Sequence, residues 1–133
     1  MIARVTTCIL LVLCIIYVVP FLVYSLSSIF AGVRPPEGAS PEQFLLSVLV
    51  SKVGTSLAFV LIFCLARQPL TGRWPAYAFV WWAMFVIGEI GQTIGPHYTW
   101  KEALAGMISE TIYVPLAAYA TNWLIGLKES PGP

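Results

Sequence analysis

Charge is scarce in this sequence: 10% of its 133 residues are Asp, Glu, Lys or Arg, against 59% hydrophobic residues and a mean hydropathy of +0.85. So little polar surface cannot coat a water-soluble globule of this size. The formal net charge is only +1, and no basic tract occurs, which argues against an electrostatic surface for nucleic acid or a polybasic lipid clamp. Cysteine is sparse as well. Cys8, Cys14 and Cys64 form no CxxC or Cys/His spacing, so they read as buried small apolar side chains rather than metal or redox groups. No GxSxG, HExxH, phosphate loop, repeat or low-complexity segment is present. The expectation is therefore no cofactor, no metal and no assigned catalytic residue.

What is present is long apolar runs. Four can be placed, at about 5–30, 43–66, 75–94 and 103–127, each near the roughly 20 residues that cross a hydrocarbon core. They are continuous rather than alternating, which favours helices over a barrel, since backbone groups in lipid must be satisfied within their own segment. The expected fold class is an all-α integral membrane protein, with residues 1–133 forming a single domain. Its four transmembrane helices would make an up-down-up-down bundle with short connections and a short KESPGP tail.

Local signals mark the ends. Ser40 is a cap for the second helix, with Pro41 at its first position and Gln43 closing a capping box, and Thr99 with Glu102 does the same for the fourth. Trp74-Pro75 opens the third helix, and Gly32 followed by Pro35-Pro36 stops the first. The amino-terminal run is too long for a signal h-region, lacks a prompt small-residue cleavage site and has Leu13 before Cys14, so it reads as a retained span. Arg4, Arg67, Arg73 and Lys128 fall at one set of helix ends, against Arg34 and Lys101 at the other. The excess points both termini to the cytoplasm, and the expected location is a bacterial inner membrane.

Three ionisable residues lie inside the runs: Lys52 in LVSKVGTS, Glu89 in VIGEIGQ and Glu110 in MISETIY. A charge at a helix centre costs roughly 2.5–3.5 kcal/mol on insertion scales, so these three residues would not face lipid without relief. At about 1.5 Å per residue they fall roughly 14, 8 and 10 Å below the outer boundary, all at the same side of the membrane. Helical spacing aligns Ala78, Trp82, Phe85, Glu89 and Gln92 on the third helix, and Gly106, Glu110, Tyr113, Ala117 and Thr121 on the fourth. The second aligns Val48, Lys52, Ser56, Phe59 and Phe63, and the first Tyr17, Pro20, Tyr24 and Ser28. Small residues and hydroxyls beside the charges fit close helix contact, which places these faces inwards.

Lys52, Glu89, Gln92, Glu110 and Tyr113 are the expected binding residues, with Tyr17, Tyr24, Ser56, Trp82 and His97 supporting them. Two carboxyls facing one ammonium would push one carboxyl to titrate high. The competing reading is structural: intramembrane charges hold helices in register, Lys52 lifts its ammonium to the interface, His97 is an exposed loop residue and Tyr98 and Trp100 anchor at the interface. Three functions remain open. The site binds, moves or senses a proton, small cation or amphipathic ligand, and the chain forms a homo-oligomer because one bundle is a thin wall. Alternatively, the chain is an accessory subunit of a larger membrane complex. Least favoured is an acid/base enzyme on a lipid-like substrate, with Glu89 and Glu110 as the proton-transferring pair.

Overall fold

A computed structural model describes residues 1–34, 38 and 40–128. Pro35, Pro36 and the ESPGP end of the tail lie outside the described residues. Five α-helices follow in order: α1 Ile2–Ala31, α2 Pro41–Leu65, α3 Arg67–Leu70, α4 Trp74–Gln92 and α5 Trp100–Ile125. The chain is all-α, and several of its helices are long and apolar, as in membrane-associated proteins.

The expected bundle of four transmembrane helices is not what forms. Among the described residues, only α1, α2 and α5, at 30, 25 and 26 residues, are long and apolar enough to cross a membrane. The 19-residue α4 falls short in hydropathy, not in length. Its apolar run is built from Trp74, Tyr77, Trp81 and Trp82, with Pro75, Gly88, Glu89 and Gly91 interspersed. Bulky amphipathic rings and helix-weakening residues there take the place of the aliphatic side chains that make a span. The connection before it also folds, into the single helical turn α3.

The helix ends obey local chemistry. Ser40 Oγ accepts from the Gln43 N–H at 3.1 Å, with Pro41 at the first helical position, although the return half of the expected capping box is missing. Thr99 and Glu102 form both halves of theirs. Gly32 ends α1 in the left-handed conformation at φ 70°, where a Cβ would be strained, and Lys101 Nζ donates to the nearby Ala31 carbonyl at 3.3 Å. Pro20 lies within α1 and Pro115 within α5, and each helix continues past its proline.

Helix α5 is the central element. It packs chiefly on α1 and α4, while α2 lies against α1 and touches α5 only sparsely. Its buried face is a row of small groups, including Ala103, Ala105, Gly106, Ser109, Ala117 and Ala118. Close backbone approach at such residues is the main source of helix adhesion when lipid is as apolar as the core. Helix α4 runs antiparallel to α5. The Trp74 and Tyr119 rings meet edge-on at 5.5 Å, Trp82 Nε1 donates to Thr111 Oγ1 at 3.0 Å, and Glu89 lies on Gly106.

The two halves of α2 behave differently. Its fully buried residues, Ser56, Phe59, Val60 and Phe63, all fall in the second half. There Phe59 and Phe63 stack on Tyr77, and the Tyr77 hydroxyl donates to the Phe59 carbonyl. Tyr77→Phe keeps the ring and deletes only that bond. We expect a loss of about 1 kcal/mol, the usual net value of one intramolecular hydrogen bond, read as a lower thermal midpoint in detergent. An unchanged midpoint would show that the bond contributes nothing. The first half of α2 has no buried residue.

Of the cysteines, Cys8 is buried, with its thiol 3.7 Å from Thr121 Oγ1. Cys64 is half-buried and Cys14 exposed, so the expectation of three buried thiols holds for one. Cys14 faces outwards because α1 buries only the stripe Cys8, Val12, Ile16 and Pro20.

Candidate functional site

Where the first half of α2 stands away from α5, a cavity of about 640 Å³ opens between α1, α2 and α5. Its walls are mainly apolar, with Pro20, Phe21, Phe44, Leu45 and Val48 among them. Phe21 and Phe44 are 51% and 38% exposed, so they form an open rim. Polar side chains come from several walls: Ser28 and Arg34 from α1 and its end, Lys52 from α2, Glu89 from α4, and Glu102, Ser109 and Glu110 from α5.

Seven of the ten expected site residues line this cavity: Lys52, Glu89, Glu110, Tyr113, Tyr17, Tyr24 and His97. Three do not. Gln92, in the last turn of α4, is exposed and does not line the cavity. Ser56 is buried one turn below Lys52 and donates to the Lys52 carbonyl at 2.8 Å. Trp82 is held by Thr111 between α4 and α5. His97 is an exposed loop residue at the rim.

Each ionisable group has a distinct setting. Lys52 is half-buried, and its Nζ lies over the Tyr113 ring, 5.1 Å from the centroid. A cation over an aromatic face gains roughly 0.5–2 kcal/mol depending on desolvation. The ammonium therefore points across to α5. Glu89 comes from α4 and packs flat against α5 at Gly106, where only a glycine leaves room for its carboxylate. Glu110 is one turn further along α5. It is 5% exposed, and its Oε2 has no hydrogen-bond partner among the described residues. A buried polar atom left unpaired ordinarily costs about 1–3 kcal/mol.

Tyr98 was missed by sequence reasoning, which gave it an interface-anchoring role. Its hydroxyl donates to Glu89 Oε2 and lies 3.5 Å from the Tyr24 hydroxyl, which itself donates to the Glu102 carbonyl at 3.4 Å. Burial, together with these bonds to Glu89 and Tyr24, pushes the Tyr98 phenol well above the ordinary tyrosine range. It stays a neutral donor at any physiological pH. Gly106 and Ser109 were likewise outside the expected set, although both line the cavity. No pattern in the sequence links Tyr98 to Glu89, because a turn through Gly95-Pro96 separates them. Gly106 was visible on the α5 stripe, but its service to Glu89 depends on the neighbouring helix.

A polar path from Glu110 past Tyr113 to Thr121 and Asn122 does not form. Thr121 Oγ1 donates to its own helix at Ala117, and Asn122 Oδ1 accepts from the Gly72 N–H at 2.9 Å, which fastens the connection before α4 to the end of α5. Among the described residues no three His, Cys or carboxylate side chains come together as metal ligands. Comparison with known proteins finds no matching family model, no similar curated protein and no similar solved structure.

Proposed function

We propose that this chain is an integral membrane protein that binds an amphipathic molecule, with the polar group against Glu89, Glu110 and Lys52 and the apolar part along Phe21, Phe44 and Val48. The observation that carries the reading is a single volume of about 640 Å³ bounded by both kinds of surface. Pockets of this size, mostly apolar with a few convergent polar groups, suit small organic ligands. A proton or bare cation needs neither the volume nor the apolar wall, so the amphiphile is favoured among the ligand types considered.

Charge distribution supports an orientation. The start of α1 adjoins the end of α5 through Cys8 and Thr121, and Arg67 reaches the Gly126 carbonyl at 3.5 Å. Arg4, Arg67, Arg73 and Lys128 therefore gather at the end of the fold opposite the cavity. In an inner membrane that end would face the cytoplasm and the cavity would open in the outer half of the bilayer.

The test is mass spectrometry of small molecules that accompany the full chain purified in mild detergent. We expect an amphiphile near one per chain, falling on the order of tenfold in Val48→Trp, whose indole would occupy the apolar wall. No retained amphiphile in the wild type would reject the reading. A protein partner at fixed stoichiometry, undisturbed by Val48→Trp, would favour the accessory-subunit alternative instead.

A further inference from the structure

We infer that the ligand of this cavity is a cationic amphiphile: an amine or ammonium head group on a single apolar body. The inference rests on the amphiphile reading above and adds the sign and chemistry of the head. Three observations on separate helices combine. Glu110, on α5, is 5% exposed and lines the cavity, and its Oε2 has no donor among the described residues. Glu89, on α4, brings a second carboxylate to the adjacent turn at Gly106, and its own hydrogen bond is taken from Tyr98. Lys52, on α2, is the one cation beside them in the interior among the described residues, and its ammonium lies over the Tyr113 ring, while Arg34 lines the cavity at its exposed rim.

The interior of the cavity thus sets two carboxyl groups against one ammonium, and one Glu110 oxygen has no donor among the described residues. A head group with N–H donors and positive charge meets both needs, since charge-assisted hydrogen bonds to a carboxylate are the strong ones. The rings of Tyr17 and Tyr24, both on the cavity wall and neither covered by Lys52, add aromatic surface that attracts a cation. An anionic head would meet two carboxylates at close range. A neutral alcohol could give one hydrogen bond but no charge.

The experiment compares three probes of equal chain length against the purified full chain by native mass spectrometry at neutral pH: dodecylammonium, 1-dodecanol and dodecanoate. Dodecylammonium should bind at least tenfold more tightly than the other two. Glu110→Gln should bring it down to the level of the alcohol while leaving alcohol binding within about twofold. The wild-type ranking decides the matter even where that variant fails to fold. Equal binding of all three probes, or preference for dodecanoate, would overturn the cationic head while leaving an amphiphile pocket in place. Failure of all three to bind would overturn both.

Discussion

Replacing Ala117 with leucine should unseat α5 and leave the chain poorly folded in any detergent. Ala117 and Ala118 are completely buried, at 0% exposure, in the middle of the helix that packs on both α1 and α4. Three extra carbons have nowhere to go, because the small side chains are what allow the backbones to approach. Overpacking a well-filled site ordinarily costs about 1–3 kcal/mol. Here the same displacement opens two helix contacts at once, so the upper end of that range is expected. The measurement is the thermal midpoint and the monodisperse fraction on size exclusion, with Leu116→Ala as the control. Leu116 is the preceding residue but is 49% exposed, on the outer face, and its truncation should change stability by no more than about 0.5 kcal/mol. Equal behaviour of the two variants would mean that α5 is not the keystone.

Gly106→Ala should separate fold from site. An alanine Cβ there would lie 2.5 Å from Glu89 Oε1 and 2.6 Å from its Cδ, distances no real contact tolerates. The obstacle is the end of a flexible side chain and not backbone, so the carboxylate can swing aside and α4 can stay where it is. Stability should fall by about 1 kcal/mol, near the centre of the range for single substitutions. The site loses more. Glu89 is driven off its seat, Tyr98 loses its acceptor, and the charge presented beside Glu110 moves. Losing one charge-assisted hydrogen bond is worth about 1.5–3 kcal/mol, which corresponds to on the order of a tenfold or greater drop in dodecylammonium binding. Full binding by a well-folded Gly106→Ala would show that the position of Glu89 does not matter to the ligand.

Several features were legible in advance because they depend on neighbours a few residues away. The Thr99–Glu102 box, the stop at Gly32 and the start at Trp74-Pro75 are all local chemistry, and each appears where the sequence puts it. The α5 stripe Gly106, Glu110, Tyr113, Ala117, Thr121 was readable for the same reason, and all five residues are buried. The status of α4 was misread because aromatic bulk was counted as spanning hydrophobicity. Tryptophan and tyrosine fill space between helices here, in the Phe59–Tyr77–Trp81 cluster, without giving α4 the aliphatic character of α1 or α2.

Composition and periodicity by themselves determined that the chain is helical and rich in long apolar helices, that α5 has a small-residue face and that Lys52 and Glu110, inside two of those helices, need shelter. These follow from the cost of placing charge and unpaired backbone in lipid, which any arrangement of the chain must respect. Only the tertiary structure decided that α2 diverges from α5 in its first half, that Tyr98 turns back onto Glu89, that Lys52 settles over Tyr113 and that one buried Glu110 oxygen is left without a hydrogen-bond partner among the described residues. Those outcomes depend on distances between helices, which no spacing along a single helix encodes.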